Sequence, residues 1–366
     1  SAQTPEGTAS LATSFLFICS GYYDYESGYR PRFKNEEMYQ GKIIHPQFWP
    51  SELEYKDKRI TVIGSGATAM TLIPNLAKKA KKVTMLQRSP TYVVSLPSRD
   101  PLVKLVNFLL PIKLAYTFNR WRYIKLQRYI YNQTRVNPEK VKNKLLSLVR
   151  KNLEGYCDVD KHFTPEYNPW DQRLCLIPDG DLYKALRNGK AEVVTDEIEQ
   201  FCESGITLKS GKVLESDIIV TATGLNLKLL GGISLRLDGK PISIPECYSY
   251  KGLMFSGIPN LVYSLGYINA SWTLRSEITA EFVCRVLNHM KTLNTRRVVA
   301  NFNPDDVSSE DSAFIGDFNP GYITRSAHLM AKQSTKDPWR FNQNYSLDKK
   351  LIRNGKLEDG FLTFSN

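Results

Sequence analysis

A glycine-rich segment with the spacing of a phosphate-binding turn directly follows the apolar run RITVI at 59–63. In the pattern G-x-G-x-x-G/A, the first glycine makes a tight turn and the second lets a pyrophosphate approach the backbone. The third small residue lets the next helix pack on the sheet, and the helix N-terminus offers unpaired N–H groups. The segment predicts a dinucleotide site rather than an accidental glycine-rich turn, formed by Gly64, Ser65, Gly66, Ala67, Thr68 and Ala69.

The end of the next expected strand, KVTML at 82–86, indicates which dinucleotide binds. A site for NAD would place Asp or Glu there to bind the ribose 2′-hydroxyl, but this chain has Gln87, Arg88 and Ser89. Arg88 can pair with a 2′-phosphate and Ser89 can donate a hydrogen bond to it. NADP(H) is therefore favoured over NAD(H), and the alternative is that Arg88 is only a solvated surface residue.

The order of apolar runs predicts an α/β fold. A strand, the glycine-rich turn, a helix towards Ala80 and a second strand form the start of a doubly wound sheet, with Pro74 expected to kink or shorten the helix. Two runs, FLFICSG at 15–21 and IIVTATG at 218–224, repeat one pattern: a buried strand that ends at a glycine. Further strands are expected at 191–194, 217–221 and 261–265, with a helix over 273–290.

A basic helical segment interrupts this domain at about 99–153, with breaks at Pro111 and Pro138. It contains 13 Lys and Arg against two acids, so it supplies +11 of the chain's net charge of +12. Such a local excess is not the footprint of a nucleic-acid-binding domain. Aromatic and basic side chains alternate around Trp121, which leaves two interpretations: a lid over an active site, or a surface that lies on an anionic membrane.

The bulk composition is that of a globular protein of two domains. No apolar run reaches the roughly 18 residues that a membrane span needs, and no secretory signal is visible. The six cysteines form no short-spaced pair and the four histidines are dispersed, so we expect no metal site and a reducing, cytoplasmic setting.

A second segment, YQGKIIHPQFWP at 39–50, has no helix or strand period. It resembles the Baeyer–Villiger monooxygenase signature F-x-G-x-x-x-H-x-x-x-W-[PD], with Tyr39 in place of Phe, followed by Gly41, His45 and Trp49. The chain is most similar to the ethionamide-activating branch of these flavin monooxygenases, through the stretches CSGYYDYESGYRPRF, IIHPQFWP, VIGSGATA, TMLQRSPTYVVS, HFTPEYNPWDQRLCLIPDGDL, DIIVTATGLNL and GYINASWTL.

The resemblance implies a flavoprotein of two dinucleotide-binding domains, in which a Rossmann-like NADPH domain is inserted into the FAD domain. The end of the FAD domain and the linker with the signature would cover 1–50, the NADPH domain 51–227 with the basic insertion, and the rest of the FAD domain 228–366. Within the FAD domain, Asn269 and Trp272 are the implied flavin contacts. The family opens with its own strand–GxGxxG–helix unit for FAD, which this chain lacks, so we expect the FAD domain to be incomplete.

The resemblance also implies the chemistry. NADPH reduces FAD, O₂ adds to give a C4a-peroxyflavin, and this oxidant converts ketones to esters or lactones, or oxidises the sulfur of thioamides and sulfides. The family's active-site arginine falls within DQRLC at 171–175, which implies Arg173 for this role. A guanidinium that keeps its charge and presents a planar set of donors suits it, and the alternative is that Arg173 forms a structural ion pair. The signature is implied to coordinate domain motion rather than to transfer protons. Two alternatives remain: an N- or S-oxidising flavin monooxygenase without Baeyer–Villiger activity, and a truncated, inactive NADPH-binding fragment.

Overall fold

The computed structural model describes residues 2–172, 174–306 and 321–366. These residues form two compact units. One consists of Ser1–Asp24 together with Leu227–Asn366, and the other is the continuous stretch Tyr25–Asn226. The continuous unit is therefore an insertion in the other, and the chain enters and leaves it at 24–25 and 226–227.

The described residues form short strands and helices of very different lengths. The strands are β1 (Ala2–Thr4), β2 (Gly7–Ala9), β3 (Leu16–Ile18), β4 (Tyr23–Gly28), β5 (Lys42–Ile44), β6 (Arg59–Ile63), β7 (Lys82–Gln87), β8 (Val93–Leu96), β9 (Cys175–Pro178), β10 (Ala191–Thr195), β11 (Ile198–Cys202), β12 (Gly205–Leu208), β13 (Val213–Glu215), β14 (Ile218–Thr221), β15 (Leu225–Leu227), β16 (Arg236–Leu237), β17 (Lys240–Pro241), β18 (Ser249–Tyr250), β19 (Met254–Phe255), β20 (Leu261–Tyr263), β21 (Arg297–Ala300) and β22 (Leu362–Ser365). The helices are α1 (Ala67–Leu76), α2 (Pro101–Leu109), α3 (Ile112–Val136), α4 (Pro138–Leu153), α5 (Val159–Phe163), α6 (Asp181–Arg187), α7 (Trp272–Leu293), α8 (Gly321–Ser326) and α9 (Tyr345–Asp348).

A parallel sheet forms the centre of the continuous unit, with the strand order β10-β7-β6-β14-β5. The chain runs from β6 through α1 to β7 on one side, and β14 pairs with β6 on the other side. The direction of winding therefore reverses between β6 and β14, and the carboxyl ends of parallel strands at such a point are where α/β sheets bind ligands. The predicted strand–turn–helix–strand unit is confirmed.

The two faces of this sheet are buried against different layers. Alternate side chains of β6 face opposite ways: Val62 packs with α1 and α6, whereas Ile63 packs with the antiparallel strands β11, β12 and β13. Helix α1 includes Pro74 and ends at Leu76, four residues before Ala80, so the proline is tolerated inside the helix and the helix is shorter than expected.

The basic insertion is helical, as predicted, and comprises α2, α3 and α4. Pro111 directly precedes α3 and Pro138 is the first residue of α4, positions at which the missing N–H of proline costs nothing. Among the described residues, no helix has the length and apolar character to cross a membrane.

In the discontinuous unit, β3 pairs in parallel with β20, and α7 follows β20 after a loop. The run at 15–21 and the run at 218–224 both contain a parallel strand, and both end at a glycine with positive φ, Gly21 at +70° and Gly224 at +117°. Strand β14 is fully buried, as expected, whereas β3 is only partly buried, because Leu16 is exposed. The core of this unit encloses an ion pair between Arg275 and Asp348, which Tyr267 completes with a hydroxyl 2.5 Å from the carboxylate.

Candidate functional site

The turn after β6 requires glycine at its first position. Gly64 has φ +132°, a conformation that side chains disfavour, and its N–H donates to the Leu86 carbonyl at 2.8 Å. A Cβ on Gly64 would lie 2.4 Å from the carbonyl oxygen of Ala222, which follows β14. The turn is therefore pressed against the end of β14, at the point where the sheet reverses.

The second glycine of the motif is open to solvent instead. Gly66 precedes α1 with φ −79°, and a Cβ added there would meet no atom within 4 Å. No side chain caps the helix, and the first-turn N–H groups have no intrahelical acceptor. Ala67 and Thr68 are exposed at this end, whereas Ala69 is fully buried against the sheet. The geometry fits a phosphate group that approaches the backbone.

Ser65 joins this turn to the segment that follows β7. Its hydroxyl lies 3.0 Å from the Thr91 hydroxyl and 3.3 Å from the Ser89 carbonyl oxygen, to which it donates. The predicted residues Gly64–Ala69 and Ser89 are thus brought together at one edge of the sheet.

At the end of β7, successive side chains point in opposite directions. Gln87 is buried, and its amide donates to the His162 carbonyl and to the Thr195 hydroxyl, both at 2.8 Å. Arg88 is exposed and has no hydrogen bond or ion pair among the described residues; its positive charge contributes, after that of Lys209, to the lowered pKa of Glu197. An exposed guanidinium beside the glycine-rich turn can bind a phosphate by donating hydrogen bonds to its oxygens.

The anchoring role of Gln87 could not be predicted from the sequence. The only signal in the sequence is a polar residue directly after the expected strand KVTML. The partners of Gln87 come from β10 and α5, more than 70 residues further along the chain.

The signature segment lies along β14 and its continuation. Tyr39 is buried, donates its hydroxyl to the Ser216 carbonyl at 2.9 Å, and packs edge-on against Phe201. Gly41 has no room for a side chain, since a Cβ would lie 2.2 Å from the Tyr39 hydroxyl oxygen. Trp49 is partly buried and packs against the hydrophobic core that contains the buried side chains of α1.

His45 follows β5 and is held by two backbone groups. Its Nδ1 accepts the N–H of Gln47 at 3.3 Å, so Nε2 carries the proton and donates to the Gly224 carbonyl at 3.2 Å. Burial is the main cause of the lowered pKa of His45, which favours this neutral form. The ring fits because residue 28 is glycine: a Cβ there would lie 1.9 Å from Cε1. Gly28 had no signal in the sequence.

Asn269 and Trp272 lie in the other unit, where each already has a packing role. The amide of Asn269 donates to the Gln343 carbonyl at 2.8 Å. Trp272 begins α7 and stacks on Tyr22, with ring centroids 4.9 Å apart. A Cβ on Gly266 would overlap the indole, at 2.0 Å from Cγ.

Arg173 lies outside the described residues. Its neighbourhood in the chain is fixed on one side by Asp171, which forms an ion pair with Arg135 at 2.9 Å, and on the other by β9, which begins at Cys175.

The family model described as flavin-binding monooxygenase-like matches residues 6–230. The FAD-containing monooxygenase EthA of Mycobacterium tuberculosis is 52% identical over 362 residues, which cover 98% of this chain and 73% of that protein. EthA of Mycolicibacterium smegmatis is 48% identical and covers 97% of this chain and 72% of that protein.

The fold is also found among solved structures. That of an oxidised steroid monooxygenase bound to NADP superimposes with a TM-score of 0.69 at 18% identity, over 96% of this chain and 75% of that one. The predicted fold of two dinucleotide-binding domains is confirmed.

Proposed function

The chain belongs to the flavin-binding monooxygenase-like family, and we propose that it uses NADPH, FAD and O₂ to oxygenate ketones or the sulfur of thioamides and sulfides. The observation that carries the proposal is the combination at the reversal point of the parallel sheet: the tight turn at Gly64, the open backbone at Gly66 and the exposed Arg88. The turn and the open backbone offer a place for the pyrophosphate, and Arg88 offers a charge for the 2′-phosphate.

In this proposal the residues of the turn hold NADPH. The backbone N–H groups of Gly66, Ala67 and Thr68 receive the pyrophosphate, while Ser65 keeps the turn in register with Ser89. Arg88 and Ser89 bind the 2′-phosphate, and Gln87 fixes the strand end that carries them. A charge-assisted bond of this kind contributes about 1.5–3 kcal/mol, which is enough to separate NADPH from NADH.

Two features of the discontinuous unit fit a flavin. Gly21 follows β3 in a left-handed conformation, with no atom within 4 Å of the position of a Cβ. In the same unit, α7 starts after β20 without a side-chain cap; the Leu274 N–H donates to the Ser271 carbonyl at 3.2 Å, while the N–H groups of Trp272 and Thr273 precede the first intrahelical bonds. We propose that FAD contacts this region, with Trp272 as a wall rather than a polar ligand and with Asn269 shaping the loop that precedes α7.

The two cofactors are assigned to different parts of the chain. We propose that the discontinuous unit, 1–24 and 227–366, belongs to the FAD side and the continuous unit, 25–226, to the NADPH side. The signature segment, expected within 1–50 on the FAD side, then lies with the NADPH sheet, because β5 pairs with β14. His45 would couple the two sides, because its Nε2–H bonds to the Gly224 carbonyl, two residues from where the chain leaves the continuous unit. Tyr39, Gly41 and Trp49 would hold His45 in place through packing.

When bound, NADPH supplies the hydride that reduces the flavin, and the reduced flavin supplies the reaction with O₂. We propose that Arg173 acts at the substrate, where its planar donors face negative charge that develops on the reacting oxygen. A donor placed in this way is typically worth ~3–4 kcal/mol of transition-state stabilisation. Because the guanidinium keeps its charge, Arg173 needs no proton transfer of its own.

We also propose a cytoplasmic location, since all six cysteines are free thiols, with the basic insertion in contact with the inner face of a membrane.

The direct test supplies the protein with NADPH, FAD and ¹⁸O₂, together with a ketone or a thioamide. We expect one labelled oxygen atom in an ester or in an S-oxide. Arg173→Ala should abolish this product and leave the dissociation constant of NADPH unchanged, while Gln172→Ala, at the neighbouring position, should remain active.

Other results would assign another function. NADPH binding without any labelled product would support a binding fragment that is not an enzyme. A labelled S-oxide without any ester would support an N- or S-oxidising monooxygenase. An Arg173→Ala variant that still forms labelled product would remove Arg173 from the mechanism.

A further inference from the structure

The exposed apolar side chains of this protein are concentrated in one part of the basic insertion. Of the 29 large hydrophobic residues that are exposed in the described part of the chain, 14 lie between 102 and 130. Monomeric soluble proteins rarely expose a contiguous apolar patch of this kind unless it binds a partner or a membrane. None of these 14 residues belongs to the nucleotide site, so the proposed reaction does not explain why they are exposed.

Helices α2 and α3 form a hairpin whose base is tied together. Asp100, at the start of α2, accepts bonds from Arg122 at 2.5 Å and from Tyr123 at 2.7 Å. Closer to the tip, the Asn119 amide lies 3.4 Å from the Asn107 side-chain oxygen. These contacts place 108–114, with the sequence FLLPIKL, at the end of the hairpin.

The tip projects apolar side chains into solvent. Phe108 is 86% exposed and Ile112 is 85% exposed, and Leu109, Leu110 and Leu114 are also exposed. Aromatic side chains follow behind the tip, with Trp121 nine residues beyond Ile112 and therefore roughly 13 Å further along the helix. A tip made of Phe108 and aliphatic residues, followed by Trp and Tyr, matches the layers of a bilayer, because Trp and Tyr favour the headgroup level.

The charge around the tip has one sign. Lys104, Lys113 and Lys125 are exposed and form no ion pair among the described residues. The one acid between 99 and 130, Asp100, is already paired at the base of the hairpin. A basic collar around an apolar tip is complementary to a surface of anionic lipid headgroups; a second copy of this chain would bring the same positive charge to the contact.

We propose that the α2–α3 hairpin tip inserts into the surface of an anionic bilayer, with Phe108, Leu109 and Ile112 among the acyl chains and the lysines at the phosphates. This deepens the membrane contact given under the proposed function and does not depend on the oxygenation reaction. It places the nucleotide-binding unit next to a phase in which apolar ketones and sulfur compounds accumulate.

Vesicle sedimentation tests the proposal. The 366-residue protein should bind vesicles of phosphatidylglycerol and phosphatidylcholine, and bind pure phosphatidylcholine much less. The double substitution Phe108→Ser/Ile112→Ser should lower the partition coefficient roughly tenfold. Replacing Lys104 and Lys113 with Ala should lower it roughly fivefold for each residue at low salt.

The matched control is Leu148→Ser/Leu176→Ser, which alters two exposed leucines of the same unit outside the hairpin and should change binding by less than twofold. Brominated lipids should quench tryptophan fluorescence in the wild type and should lose this effect in Trp121→Phe. Unchanged NADPH affinity in all variants separates this result from any failure of the enzyme proposal.

Three outcomes would overturn the proposal. The first is no binding to anionic vesicles. The second is equal loss of binding in the tip variant and the leucine control. The third is a tip variant that alters the oligomeric mass in sedimentation velocity while its vesicle binding stays unchanged, which would assign the patch to a second copy of this chain.

Discussion

The two glycines of the nucleotide turn have different physical tasks although the motif treats them alike. Gly64 combines a positive φ with a close approach to Ala222, so its lack of a side chain is needed for folding. Gly66 has an ordinary φ and open space around it, so its lack of a side chain serves the ligand.

Substitution by alanine should separate these tasks. We expect Gly64→Ala to lower the free energy of unfolding by about 2–4 kcal/mol, because it adds strain and a backbone clash. Gly66→Ala should change it by less than about 1 kcal/mol and weaken NADPH binding roughly tenfold or more. Urea denaturation and calorimetric titration measure the two effects; equal loss of stability in both variants would contradict the assignment.

His45 is the second residue whose state the structure defines. Because Nδ1 accepts a backbone N–H, protonation of the ring would place two donors face to face. The lowered pKa follows from burial in the first place and is opposed by the bond to the Gly224 carbonyl.

This geometry gives stability a pH dependence. The unfolded chain takes up a proton near pH 6.5, whereas folded His45 does so only at lower pH. The stabilisation is therefore complete above about pH 6.5 and is lost as the pH falls through the pKa of the folded state. In urea titrations from pH 8 to pH 5, the free energy of unfolding should fall less steeply in His45→Gln than in the wild type. Part of the pH dependence should remain, because burial also lowers the pKa of His162.

The exposed His328 provides the control variant, His328→Gln, measured over the same pH range. A His45→Gln profile with the full slope of the wild type would show that His45 does not titrate in this range.

At the level of elements, one side chain adds to the backbone pairing that joins the end of β7 to β10. Gln87 donates to the Thr195 hydroxyl, and the same hydroxyl lies 2.7 Å from Nδ1 of His162. This small polar cluster holds Gln87, the residue that directly precedes Arg88. The position of Arg88 therefore depends on contacts that Arg88 itself does not make.

Removal of that anchor should loosen the nucleotide site indirectly. Gln87→Leu is expected to cost about 1–3 kcal/mol of stability and to raise the dissociation constant of NADPH about three- to tenfold. Thr84→Val, which removes a buried hydroxyl near the other end of β7, should leave NADPH binding unchanged. Identical affinities in Gln87→Leu and the wild type would show that β7 needs no anchor.

The elements differ in how far the sequence predicts them. Strand β6 and its turn could be predicted because an apolar run, a glycine pair and a periodic helix follow one another locally. The bounds of α1 could not, since Pro74 fits within the helix and the end at Leu76 depends on packing. Gly28 and Gln87 were missed because their partners, His45, His162 and Thr195, are brought to them only by the sheet.

At the level of the whole molecule, the discontinuous unit is formed by both ends of the chain, and the continuous unit is inserted at 25–226. The repeated strand-and-glycine pattern correctly indicated one parallel strand in each unit. The exposed hairpin tip could not be located from the sequence, because the pattern of α3 does not show which of its aromatic residues face solvent; the structure shows that α2 covers Asn119 and leaves Ile112 uncovered.

The central claim is that a dinucleotide with a 2′-phosphate binds at the turn after β6. Titration calorimetry with NADPH and NADH on the wild type, on Arg88→Ala and on Lys81→Ala, which alters an exposed lysine before the other end of β7, tests it most directly. We predict a wild type that prefers NADPH, an Arg88→Ala variant that binds NADPH roughly 10–100-fold more weakly and NADH as before, and a Lys81→Ala variant like the wild type. Equal losses for both dinucleotides in Arg88→Ala, or a wild type without preference, would contradict the account.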